Sequence, residues 1–104
     1  MSFDMGSILK QAKKLQEQMK KVQEELAEER IVHSTAGGLV KCTVSGMGEV
    51  LGISIAPEAL AEGHEFLEDM VLVAVREALT KAHQLQSERF HSITGGMNLP
   101  GLDL

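Results

Sequence analysis

The chain reads as an α+β domain in which a long helix, a three-stranded antiparallel meander and a second long helix follow one another. Three observations carry this reading. Apolar residues from Met5 to Leu26 recur at alternating gaps of three and four; between about residues 30 and 56 the period drops to two around two glycine-marked turns; from Leu67 to Leu85 a helical apolar stripe returns. With 104 residues there is room for one domain, 1–104, whose core is workable alone but gains from association.

The first segment places Met5, Ile8, Ala12, Leu15, Met19, Val22 and Leu26 at the a and d positions of a heptad. A helix over about 7–28, capped by Ser7 or Asp4, would be on the order of 33 Å long and should project from so short a chain. The lysines avoid the seam: Lys13 and Lys20 fall at b, Lys14 and Lys21 at c, and Lys10 at f. Positions e and g hold Gln11, Gln16, Gln18 and Gln23, so interhelical charge pairing supplies almost no specificity.

In the middle of the chain Ile31 and His33 face one way in a first strand, Val40, Cys42 and Val44 in a second, and Leu51, Ile53 and Ile55 in a third. Gly37-Gly38 and Gly46-Met47-Gly48 mark the turns, and Pro57 ends the third strand and opens a helical turn through Leu60 that Gly63 closes. A helix over about 64–93 follows, with Glu62, Glu65, Glu68 and Asp69 at its positive end. Leu67, Met70, Val71, Ala74, Ala78, Ala82 and Leu85 form its apolar stripe, widened by Phe66, Val73 and Val75, and this half is expected on the sheet. Beyond Leu85 the pattern thins to polar residues through His91, so the distal part should leave the core before Gly95-Gly96 ends it. The tail 95–104, with Met97, Leu99 and Leu102, is apolar for a terminus and is either disordered or docked on a partner surface.

Composition narrows the function classes. Aromatics are 3% of the residues with no Trp or Tyr, which leaves no platform for stacking bases. The net charge of −5 argues against indiscriminate coating of nucleic acid, yet it conceals a polarity. Lys10, Lys13, Lys14, Lys20 and Lys21 outweigh Asp4 and Glu17 in the first segment, and Glu24, Glu25, Glu28 and Glu29 reverse the sign immediately after. The single cysteine, Cys42, makes no intrachain disulfide, and with no secretory signal or spanning apolar run a reducing cytoplasm is expected.

His33, His64, His83 and His91 lack metal-ligand spacing, and Gly46-Met47-Gly48 leads into a strand, not the helix that a dinucleotide fingerprint requires. No nucleophile stands beside a base in a catalytic signature; neither an enzyme nor a cofactor, metal site or small-molecule substrate is expected. The seam lacks Trp and Phe, and the following glutamates oppose an anionic bilayer, so no membrane partner is expected. Two readings of the lysine face remain open on the residues alone. Outward lysines on a protruding helix suit phosphates, while lysines at b, c and f also solubilise a coiled-coil scaffold or protein-binding adaptor.

The order of parts adds a resemblance. Leu9-Lys10-Gln11-Ala12 through Gln16-Glu17-Gln18-Met19 is followed by Ala36-Gly37-Gly38-Leu39-Val40-Lys41 and Gly46-Met47-Gly48-Glu49-Val50, then Ile53-Ser54-Ile55-Ala56-Pro57, Leu67-Glu68-Asp69-Met70-Val71 and Thr94-Gly95-Gly96-Met97. Together these resemble the YbaB/EbfC family of small nucleoid-associated DNA-binding proteins, nearly end to end. The resemblance implies a tweezer-like homodimer that holds duplex DNA with little sequence preference, helping to organise the nucleoid or influencing transcription. It implies DNA contacts at Lys10, Lys13, Lys14, Lys20 and Lys21, and more weakly at Lys81 and Arg89 of the last helix; Arg76 lies nearer the packed half. The family commonly has an acidic residue before the proline where this chain has Ala56, which cannot cap the turn after Pro57, at a cost of about 1 kcal/mol.

Overall fold

The computed structural model describes residues 4–95 and begins helix α1 (Met5–Glu28) at Asp4. The Asp4 carboxylate accepts the Ser7 amide at 3.3 Å, so Asp4, not Ser7, is the cap, and the helix starts two residues before the expected position. Strands β1 (Arg30–Thr35), β2 (Val40–Ser45) and β3 (Val50–Ile55) form an antiparallel sheet in the order β1-β2-β3. A 3-10 turn at Pro57–Glu62 leads to helix α2 (His64–Thr94), which ends with Gly95 in the left-handed conformation. Ala56 makes no side-chain cap at the start of the 3-10 turn. The apolar tail beyond Gly95 lies outside the described residues.

The core is a thin aliphatic layer. Val40, Cys42 and Val44 from β2 meet Ala74, Ala78 and Ala82 from α2, and all six are fully buried. Alanines recurring every four residues let the helix lie close on the strand, while Ile31, Leu39, Leu67, Met70, Val71, Val75 and Leu79 seal the margins. Burial pushes the Cys42 thiol up, keeping it protonated and unreactive. His33 sits opposite Cys42 with its Nδ1 buried and, among the described residues, without a hydrogen-bond partner.

Helix α2 lies over β1 and β2, whereas all six residues of β3 remain exposed. Ile55 and Ile53 pair with Val40 and Cys42, so they share the helix-facing side of the sheet yet have no helix over them. An irregularity between Thr43 and Val44 puts Val50, not Leu51, opposite Val44. The expected alternation Leu51, Ile53, Ile55 therefore holds only for its last two members. Leu72 and Val73 of α2 and Leu60 before it are also exposed. Val73 therefore does not widen the buried stripe.

The distal half of α2 does not simply leave the core. Its Gln86 amide donates to the Gly46 carbonyl at 2.8 Å, and Phe90 and Ile93 are half-buried where the polar pattern predicts a free helix. The partner surface is the base of α1. Leu26 is fully buried there, and a Cβ built on Gly46 would stand 2.5 Å from the Leu26 carbonyl oxygen. The Gly46 amide donates to the Glu29 carbonyl at 3.2 Å, and the Arg30 guanidinium donates to the carbonyls of Ala27 at 2.9 Å and Glu29 at 3.1 Å, closing the end of α1. Gly46 is therefore required by close approach. Gly48, with φ 87°, supplies the positive φ of the turn.

Away from this base α1 stands clear: Met19 is 40%, Ile8 44% and Met5 63% exposed. The radius of gyration, 19.6 Å, exceeds the roughly 13 Å of a compact domain of this length, as a projecting arm requires. Gly46→Ala is expected to destabilise the fold by about 1–3 kcal/mol through the forced shift at Leu26, read as a lower urea midpoint with an unchanged slope.

Candidate nucleic-acid interface

Helical spacing sets the arm's electrostatics. At 100° per residue Lys10, Lys13, Lys14, Lys20 and Lys21 fall within about a third of the circumference, on the side away from the seam. All five side chains are exposed, and none takes part in an ion pair among the described residues. From Lys10 to Lys20 the stripe covers roughly 15 Å of axis, interrupted by Glu17. Long ammonium-bearing side chains on a protruding rod can follow an irregular anionic surface without a preformed pocket.

The sign reverses toward the base. Lys21, Glu24, Glu25, Glu28, Glu29 and Arg89 line an open groove where α1 meets α2. Arg89 donates to Glu29 Oε1 at 2.9 Å, with side-chain exposures of 36% and 42%. Its charge is thus offset by a partner at the junction, whereas Lys81 lies exposed on α2 one position before the buried Ala82. Arg76 is exposed as well. The arrangement separates a cationic outer arm from an anionic base, and a polyanion would be drawn to the former and repelled by the latter.

Two junction residues escape a reading of the sequence. Glu29 follows three other glutamates and looks like helix-end charge; Gln86 sits in a polar stretch, and nothing in its spacing points to Gly46, forty residues earlier. His64 lies 3.8 Å from Glu68 at the exposed start of α2, a local i,i+4 pair, and His83 and His91 are exposed. Among the described residues no group of His, Cys, Asp or Glu side chains could hold a metal ion, and no helix is long and apolar enough to cross a membrane.

Comparison with known proteins agrees with this architecture. The model of the YbaB/EbfC DNA-binding family matches residues 1–97. A nucleoid-associated protein of Caldanaerobacter subterraneus subsp. tengcongensis is 41% identical over 101 residues, covering 96% of this chain and 91% of that protein. One from Pelotomaculum thermopropionicum is 41% identical over 103 residues and 98% of each chain, and one from Nostoc punctiforme 43% identical over 98 residues, 94% of this chain and 85% of its own. Among solved structures an uncharacterized protein of Helicobacter pylori shares the fold, with a TM-score of 0.65 at 16% identity over 74% of this chain and 90% of that one.

Because the Arg89–Glu29 pair is partly solvated, Arg89→Gln should lower stability by no more than about 1 kcal/mol. A double-mutant cycle with Glu29→Gln, followed by urea unfolding, measures the coupling directly.

Proposed function

Since the chain belongs to the YbaB/EbfC DNA-binding family, we propose that it binds duplex DNA as a homodimer, through lysine contacts to phosphate and with little sequence preference. The observation that carries this is the stripe of five exposed lysines on the outer face of α1, of which Lys10, Lys13, Lys14 and Lys20 stand clear of the acidic groove that Lys21 borders at the base of the same helix. Contacts of lysine with phosphate position a protein on DNA and carry no sequence information. The residues assigned to contact are Lys10, Lys13, Lys14, Lys20 and Lys21, with Lys81 as an outlying cation; Arg89 serves mainly to tie α2 to α1. The protein would reside in the cytoplasm on the nucleoid and act by organising DNA, with any effect on transcription following from that occupancy.

The dimer is supported by the half-covered sheet. Val50, Ile53 and Ile55 on the helix-facing side of β3, together with the exposed Leu60 of the 3-10 turn and Leu72 and Val73 of α2, leave apolar surface that a second copy would cover. The free edge of β3 offers backbone groups for the same partner. Two copies related by a two-fold axis would each present one arm, so a duplex could be held from two sides. The competing role, a scaffold or adaptor that captures a protein, is favoured only by the exposed seam at Met5, Ile8 and Met19.

Replacing all five arm lysines by glutamine should abolish duplex binding in an electrophoretic shift assay while the sedimentation of the protein stays that of a dimer. Retained affinity in that variant contradicts the assignment. Ile53→Glu, which puts a charge on the uncovered face, should convert the dimer to monomer by light scattering and weaken DNA binding through the loss of the second arm.

A further inference from the structure

The outer face of the sheet, opposite α2, has no role in the arm or in the apolar face just described. Register defines it. With Val40, Cys42 and Val44 turned toward α2, the alternate residues Lys41 and Thr43 turn outward, and their cross-strand neighbours are Ser34 and Val32 on β1 and Ser54 and Gly52 on β3. Lys41 is thus flanked directly by Ser34 and Ser54, and Thr43 by Val32 and Gly52. Thr43 is half-buried and the other five are exposed.

Two properties of this face are unusual for a solvated sheet. The first is its charge: the chain has 15 Asp and Glu residues, yet none lies on β1, β2 or β3, so Lys41 stands among hydroxyls with no carboxylate on its own face. The second is its small size. Serine and glycine are poor strand formers, and a mid-strand glycine marks either a bulge or a close approach of another molecule. Gly52 stands beside the irregularity between Thr43 and Val44, yet neither backbone nor space requires glycine there: its φ is not in the left-handed region, and an added Cβ would meet nothing within 4 Å. The missing side chain leaves room on the outside of the protein.

We infer that the outer sheet face, centred on Lys41 and flanked by Ser34, Ser54 and the cleared ground at Gly52, is a second surface for the phosphate backbone of nucleic acid, separate from the lysine arm. The choice of partner follows from charge complementarity. An ammonium group between two hydroxyls supplies donors to phosphate oxygens, and the flat ground beside it lets a broad polyanion approach without displacing side chains. This inference rests on the DNA-binding reading above, and its test separates the two.

The full-length protein, as wild type, Lys41→Gln, Gly52→Val and the five-lysine arm variant, is titrated with a fluorescent mixed-sequence duplex at several salt concentrations, with mass in solution followed in parallel. Lys41→Gln should weaken binding about eightfold at 0.1 M salt and reduce the log–log salt slope by about 0.9 for each protomer engaged, with the dimer unchanged. Gly52→Val should raise the melting temperature of the free protein, since a β-branched residue replaces glycine in open space, and yet lower its affinity for DNA. If both sheet variants bind as wild type does while the arm variant loses binding, the second surface is overturned and the DNA-binding reading stands. If they change the oligomeric state and leave affinity per assembled unit unaltered, the face is an interface between copies and the inference fails. Failure of the wild type to bind at any salt concentration removes the DNA-binding reading and the inference with it.

Discussion

The seating of Leu26 against Gly46 is the contact on which the arm depends. A helix of 24 residues with most of its apolar seam in water has little reason to hold a fixed direction, because helices gain most of their stability from the face they bury. Here a single turn is anchored. The fully buried Leu26, the backbone approach that only glycine permits, the Gly46 amide on Glu29 and the Gln86 amide on Gly46 join α1, the β2–β3 turn and α2 at one point. Arg30 and the Arg89–Glu29 pair then close the end of the helix. The lysines lie on the far part of the same rod, so their position relative to the sheet is set by this junction.

A similar economy governs the sheet. Six small or medium side chains make the fully buried layer between β2 and α2, and alanine at each fully buried position of the helix brings it close at the expense of area. A domain of this size with so thin a core, and with the third strand left uncovered, has apolar surface that the proposed dimer would cover. On that proposal assembly and stability are two aspects of one surface, and the charged arms remain outside it. Only Glu17 interrupts the arm's lysine stripe and no acidic residue lies on the strands, which is how a chain of net charge −5 can still present cationic surfaces.

Much of this was legible in the sequence because periodicity reports burial. The helices, the three strands, the Ala74–Ala78–Ala82 stripe and the turn at Gly48 each follow from spacing or backbone chemistry within a few residues. Contacts across long separations were not legible. Gln86 and Glu29 carry no local signal, Phe90 is hidden in a polar stretch, and the irregularity that substitutes Val50 for Leu51 depends on how β2 and β3 align. The lysine stripe and the sign reversal at Glu24, Glu25, Glu28 and Glu29 were visible in the sequence, but the groove that Arg89 shares with those glutamates was not. Gly52 reads as an ordinary strand glycine until the structure shows that nothing in the fold crowds it.

The central claim is that phosphate, not apolar surface or base edges, is what the arm meets. The most direct measurement is the affinity of the wild-type protein for one duplex across a salt series, repeated with a second duplex of unrelated sequence. The account predicts a linear fall of log K with log salt, steeper than a slope of about −3, and the same line for both sequences. An affinity that changes little between low and high salt, or one that differs by orders of magnitude between the two duplexes, would contradict it.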